Sequence, residues 1–356
     1  MGSCLRSRKS LEKAEKRKFM LGNGKILLEK LIASSNGKHN PIRSFSADEL
    51  KTATDDFDGG KVIMKCLFYK LYKGFLQDRP ISVMKFEDTF PFSVSKFEDE
   101  VLGIDEYCFN CAAFASQMSH KNVLKFLGCC LETQIPLLVY ESVANGTLDN
   151  WIHGPCRSNS GPLLLKQRLK IAMEIASAVA YLHVGFSRPV VSRDIKPTTI
   201  VLQEENVAQL FDFTLSLSIP EGETHINDSN RVIGTFGFMA PEYRTTGDFS
   251  EKSDVYSFGA LLLELLTGKK ISYSSHFDDG EDYRLQDLVK KYIENESFKE
   301  IVDPAIVGEE GLMWPEKEQQ LLICTELAFK CLSESEGDRP TIVQVAKQLR
   351  QIYQSN

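Results

Sequence analysis

Val190-Val191-Ser192-Arg193-Asp194-Ile195-Lys196-Pro197-Thr198-Thr199-Ile200-Val201-Leu202 lies near the middle of a chain of 356 residues. Two apolar, strand-like runs flank a short polar turn. The turn sets a carboxylate, Asp194, and an amine, Lys196, two residues apart. Upstream, Leu163 to Val184 reads as a long amphipathic helix, with Leu169, Ala172, Ile175, Ala176, Val179 and Leu182 at helical spacing. Downstream, Leu210-Phe211-Asp212-Phe213-Thr214-Leu215 places a second acid between aromatic residues.

Length and composition bound what this turn can belong to. At roughly 150 residues per domain, the chain is long enough for two lobes. Hydrophobic residues make up 42% and charged residues 26%, as in ordinary globular proteins. A net charge of -7 argues against broad nucleic-acid binding, for which a basic domain is the usual footprint. The nine cysteines, including the pair Cys129-Cys130, have no metal-ligand spacing, and a reduced cytosolic setting is expected. No apolar run reaches the ~18 residues of a membrane span, and the N-terminus has no signal-peptide core. The expectation is a soluble intracellular protein.

The central stretch resembles the catalytic loop of eukaryotic protein kinases, His-Arg-Asp-x-Lys-x-x-Asn. The resemblance implies that Asp194 accepts the substrate hydroxyl proton and Lys196 steadies the transferred phosphoryl group. Ser192 stands at the His position, and Thr199 at the Asn position that holds a magnesium ion. Asp212 falls on the Asp-Phe-Gly aspartate, a magnesium ligand in the family, and Thr214 replaces the glycine. The large-lobe architecture is intact. Glu242 in Ala240-Pro241-Glu242 is expected to pair with Arg339, Asp254 to bond the catalytic-loop backbone, and His183 to be structural.

The same resemblance applied to the small lobe finds more departures. A Gly-rich hairpin lets backbone amides approach phosphates closely, yet its three glycine positions fall on Met64, Cys66 and Tyr69. Lys85 in Ile81-Ser82-Val83-Met84-Lys85 takes the phosphate-pairing lysine position. Its helix partner, a Glu in the family, falls on Cys111, nine residues before His120. Tyr140 takes the gatekeeper position beside the adenine pocket. Lys85, Asp212 and Tyr140 are thus the nucleotide-side candidates. With Met64, Cys66, Tyr69, Cys111, Ser192, Thr199 and Thr214 altered, ATP and Mg are expected to bind weakly or not at all.

The first 56 residues form an extension, basic at its start. Met1-Gly2-Ser3-Cys4 invites myristate on Gly2 and palmitate on Cys4, though Arg6 occupies the position where the myristoylation pattern wants Ser or Thr. Two helices broken at Gly22-Asn23-Gly24 are expected, then a turn at Ser34-Ser35-Asn36-Gly37. Ser46 and Glu49 form a capping box opening a short helix. Phe45-Ser46-Ala47-Asp48-Glu49-Leu50 to Ala53-Thr54 and Phe57 is similar to the lead-in of plant receptor-like cytoplasmic kinases. Leu21-Gly22-Asn23-Gly24 to Ile32 resembles the extension of the pseudokinase adaptors that partner a coiled-coil NLR immune receptor. The resemblance covers nearly the whole chain.

It implies an α+β, bilobal protein-kinase-like fold, with an extension at 1–56, a small lobe at 57–140 and a large lobe at 141–356. It also implies an adaptor without phosphotransfer, partnering the leucine-rich repeats of an NLR receptor, a related receptor-like cytoplasmic kinase and a pathogen effector, with no nucleic acid. The setting is the cytoplasm, with peripheral attachment at the inner face of the plasma membrane if Gly2 or Cys4 is lipidated. The alternative is a slow Ser/Thr kinase using Asp194, Lys85 and Asp212. The acidic stretch Ser274 to Asp282 reads as a solvated loop, with docking as its other reading.

Overall fold

The computed structural model describes residues 2–35, 40–87, 103–154, 161–229, 232–273, 283–307 and 315–354, and the side chains of 2–9, 35, 272, 273 and 283 lie outside the description. Two compact units emerge. One comprises residues 1–119, 123–146 and 211–215, the other 120–122, 147–210 and 216–356. The first is built on a β-sheet and the second is largely helical, which is the α+β class expected.

The first unit opens with α1 (Gly2–Ser35), one uninterrupted helix where two were expected. Two glycines in a helix interior cost about 0.5–1 kcal/mol each. Tertiary contacts override that cost. The Asn23 amide donates to the carbonyl oxygens of Leu131 (3.1 Å) and Thr133 (2.8 Å), pinning the helix at the position where it was expected to break. Leu27 and Leu31 are buried on the same side. Lys30 pairs with Glu106 at 3.2 Å, and Gln117 donates to Ser34 Oγ at 2.9 Å. Ser34 and Ser35, expected to begin a turn, are the last residues of α1; residues 36–39 lie outside the description, as does the acidic stretch Ser274 to Asp282.

A six-stranded sheet follows, built from β1 (Arg43–Ser44), β2 (Val62–Lys65), β3 (Tyr69–Leu76), β4 (Arg79–Phe86), β5 (Phe126–Cys130) and β6 (Leu137–Glu141), in the order β1-β5-β6-β4-β3-β2. β1 runs parallel to β5 and the remaining neighbours are antiparallel. Gly128 makes the parallel step possible. Its φ is +157°, and a Cβ there would meet Arg43 O at 1.9 Å.

The capping box of Ser46 and Glu49 opens α2 (Ala47–Ala53). This helix lays Ala47, Leu50 and Ala53 on one face of the sheet, against Ile81, Val83, Leu137 and Val139. Further along the chain, α3 (Ile104–Ala115) carries Cys108, Phe109 and Cys111 buried.

The second unit contains α4 (Leu148–Ile152), α5 (Leu165–Val184), α6 (Pro241–Thr246), α7 (Glu251–Thr267), α8 (Leu285–Glu294), α9 (Phe298–Ile301), α10 (Pro304–Val307), α11 (Pro315–Cys331) and α12 (Ile342–Gln354). Short strands β7 (Val190–Val191), β8 (Ile200–Leu202), β9 (Ala208–Leu210), β10 (Leu217–Ser218), β11 (Ile226–Asn227) and β12 (Asp248–Phe249) fix its loops. α7 is buried from Ser253 to Thr267, and its inward acids Asp254 and Glu264 are hydrogen-bonded to backbone amides. Every described cysteine is a free thiol.

Candidate functional site

In the second unit, β7 and β8 deliver the catalytic-loop residues. Lys196 Nζ lies 2.7 Å from both carboxylate oxygens of Asp194 and donates to Thr235 Oγ1 at 2.8 Å. Thr235 Oγ1 lies 3.3 Å from Asp194 Oδ1. The acid and amine are therefore together, as the spacing of the turn implies. Thr199 turns inward. Its hydroxyl donates toward the carbonyls of Asp194 (2.7 Å) and Lys196 (3.0 Å), and it accepts from the Lys196 amide at 3.2 Å. The threonine thus braces the loop backbone.

Beneath the loop, Asp254 is fully buried and accepts from the amides of Ser192 (2.8 Å) and Arg193 (2.9 Å). His183 Nε2 is 2.9 Å from Asp254 Oδ2, consistent with a structural histidine. The two amides hold Arg193 at φ +66°, a left-handed backbone that a non-glycine residue adopts only under constraint. Glu242 and Arg339 form a two-pronged pair, both bonds 2.7 Å. Arg193 reaches Asp228 Oδ2 at 3.2 Å and stacks over Phe249, 4.2 Å from the ring centroid. Sequence reading missed Asp228 and Thr235. No local pattern marks Asp228, whereas Thr235 lies in the run Gly234-Thr235-Phe236-Gly237-Phe238, which reads only as intact activation-segment sequence.

The first unit carries the nucleotide-side candidates. Tyr69 begins β3 and is fully buried, and its hydroxyl donates to Asp212 Oδ2 at 2.6 Å. Burial first, and then the Asp212 charge, pushes the Tyr69 hydroxyl well above its ordinary range, so it remains a donor. The other carboxylate oxygen of Asp212 accepts from the Thr214 amide at 2.9 Å. Asn110 of α3 donates to the carbonyls of Thr214 (3.0 Å) and Phe213 (3.3 Å), holding the Asp-Phe-Thr backbone. This asparagine also escaped the sequence reading, although it adjoins Cys111. Cys111 Sγ lies 3.4 Å from the Tyr140 hydroxyl, and burial pushes its thiol up to about 12. Met64 is buried on β2, while Cys66 is partly exposed and accepts from the Phe68 amide at 3.4 Å.

Lys85 lies elsewhere than its expected position beside the phosphates. The β3–β4 hairpin closes through two residues, Gln77 and Asp78, both with positive φ (49° and 61°). That turn pairs Leu76 with Arg79, and the register then sets Leu71 opposite Met84, Tyr69 opposite Phe86 and Lys70 opposite Lys85. Side chains alternate along a strand, so Lys85 shares the face of Ile81 and Val83 toward α2. Its ammonium lies 4.4 Å from the Phe57 ring centroid. Phe86 takes the side of Tyr69, ring centroids 5.5 Å apart.

The chemistry retained by these groups is therefore divided. Asp194 and Lys196 meet each other and Thr235 on the loop, while the Asp-Phe-Thr acid and the strand lysine are engaged with other side chains. Gly2 and Cys4 belong to α1, in the stretch whose side chains lie outside the description.

The protein tyrosine and serine/threonine kinase family model matches residues 99–349. The chain is 36% identical to the serine/threonine-protein kinase ZRK1 of Arabidopsis thaliana, across 97% of this chain and 95% of that protein. It is 38% identical to the non-functional pseudokinase ZED1 of the same plant, across 95% and 97%. A second non-functional pseudokinase, ZRK2, is 35% identical across 98% and 94%. Kinase and pseudokinase names thus both occur among close relatives, and the residues of this chain must decide between them. The chain belongs to the protein tyrosine and serine/threonine kinase family.

Proposed function

We propose that this protein is a pseudokinase adaptor in plant innate immunity, a kinase-shaped binding module rather than a phosphotransferase. The observation that carries the reading is the Tyr69–Asp212 hydrogen bond. The Tyr69 hydroxyl engages one carboxylate oxygen of Asp212 and the Thr214 amide engages the other, while Thr199 turns its hydroxyl to the loop backbone. Lys85 projects toward Phe57. The residues present do not fit a magnesium–nucleotide, and no phosphoryl-transfer step is assigned. Phosphoryl transfer depends on positioning and on electrostatic stabilisation by metal and lysine, so these losses act together and not as a sum.

The partner part of the reading rests on the resemblance of the N-terminal extension and on two relatives named non-functional pseudokinases. The module engages the leucine-rich repeats of an NLR receptor and senses pathogen effectors, directly or through an effector-modified receptor-like cytoplasmic kinase. It works in the cytoplasm, at the inner face of the plasma membrane. The segment between β10 and α6 offers a contact surface, with Val232 39% and Phe236 59% exposed. The test is co-purification with the repeat region of a candidate NLR, wild type against Phe236→Ala and Val232→Ala. Stable co-elution of wild type supports the reading. Failure with every NLR of the source plant's repertoire would sink it.

A second reading, a slow Ser/Thr kinase, has one observation in its favour. Lys196 and Thr235 bracket Asp194 at hydrogen-bond distance, as a loop able to receive a substrate hydroxyl requires.

A further inference from the structure

α1 has two apolar stripes on opposite faces. One, with Asn23, Leu27 and Leu31, is buried in the first unit. The other holds Leu11 (68% exposed), Leu21 (68%), Leu28 (57%) and Ile32 (55%). At 3.6 residues per turn these four fall within about 100° of arc and run about 30 Å along the helix. Single exposed leucines need no explanation, but a row along one face marks a surface that something covers. The buried face is already satisfied by Leu131, Thr133 and Glu106, so the outer stripe is left to an outside partner.

Charge identifies that partner. Residues 1–35 hold nine Lys or Arg and three Glu, whereas the whole chain holds 42 and 49, leaving the remainder with 33 against 46. The basic residues Arg17, Lys18 and Lys25 lie among or beside the outer leucines. Lys25 is only 3.9 Å from Glu29, with both side chains exposed, a contact that water screens. A second helix packed on this face would bury Lys18 and Lys25 in its seam. A bilayer surface instead lets lysines snorkel to the headgroups while leucines enter the acyl boundary.

We propose that the outer face of α1 binds an anionic lipid bilayer, lying in the plane of the interface. This deepens the membrane part of the reading above and requires no acyl chain on Gly2 or Cys4. It does not depend on the NLR assignment, so each can fail separately.

The test is vesicle flotation of the full chain made in bacteria, where it carries no acyl group. Phosphatidylcholine vesicles with and without phosphatidylserine are the probes. The expected result is binding to the phosphatidylserine vesicles alone, weakened at ~1 M salt, where the Debye length falls to about 3 Å. The triple variant Arg17→Glu, Lys18→Glu, Lys25→Glu should lower partitioning at least about tenfold, and Leu21→Ser with Leu28→Ser should do the same. Unchanged melting of each variant shows that the helix still docks. Protein that stays in solution with anionic vesicles overturns the proposal, as does equal binding to both vesicles or wild-type binding by the variants. A dimer that the leucine variants dissociate, with no vesicle binding, assigns the stripe to a second copy instead.

Discussion

The Tyr69 hydroxyl donates to Asp212 Oδ2 at 2.6 Å, and both side chains are buried. A side chain of the protein thus meets the acid that a metal would otherwise engage. Because no ligand is needed to satisfy Asp212, magnesium-ATP is expected to leave the melting temperature of the wild type unchanged. Tyr69→Phe removes the donor and leaves a buried acceptor unpaired, a loss of roughly 1–3 kcal/mol. Thermal and denaturant unfolding check both statements. A nucleotide-dependent rise in the wild-type melting point contradicts them.

Lys85 gives a second prediction. Its ammonium contacts the Phe57 ring at 4.4 Å on the α2 face, and such contacts at partly exposed sites contribute about 0.5–1 kcal/mol. Lys85→Met is expected to cost no more than that and to leave any nucleotide response of the protein unaltered. Melting curves with and without magnesium-ATP measure both. A lysine that holds phosphates would instead abolish such a response when replaced.

Arg193 and Asp228 pair at 3.2 Å. Many kinases order this segment by pairing a loop arginine with a phosphorylated residue. Here the acid is encoded in the sequence, so phosphatase treatment is expected to leave the segment's order unchanged. Asp228→Asn should speed amide hydrogen exchange at residues 226–229 roughly two- to fivefold, the yield of a partly exposed ion pair. Unaltered exchange in the variant would remove the pair from the account.

How far these relationships were legible follows from what kind of signal carries each. Asp194, Lys196, Asp254, Glu242 and Arg339 belong to local motifs in fixed order, and the structure joins them as the motifs imply. The direction of Lys85 is a register property. It depends on whether the β3–β4 hairpin closes in two residues, and one residue of slip reverses every side chain of the strand. The turn Gln77-Asp78 contained that signal. The continuity of α1 was hidden for a different reason. Local propensity at Gly22 and Gly24 argues for a break, and the amide of Asn23 overrides it through residues more than 100 positions away. Asp228 and Asn110 act through space on partners that no local pattern joins to them.

Glu264 of α7 supplies a pH dependence. Burial raises its carboxyl to about 7 from 4.5, partly opposed by the Ile271 amide and by His153 and Lys270, with Asp149 acting in the same direction as burial. The folded state therefore holds this proton more tightly than the unfolded chain. Its contribution is fully present below pH 4.5 and is lost as pH rises toward 7. Over that window the loss amounts to roughly 3 kcal/mol. Glu264→Gln mimics the protonated form, so its melting point should gain on the wild type between pH 5 and pH 8. Parallel melting profiles would show that the group does not titrate there.

The most direct test of the central claim is phosphotransfer by the purified full chain with labelled ATP and magnesium, measured on itself and on a general Ser/Thr substrate. Asp194→Asn is the control, since Asp194 is the base any transfer would use. The account predicts incorporation at the level of the control for both proteins. Incorporation by the wild type that disappears in Asp194→Asn would contradict it and establish the chain as a working kinase.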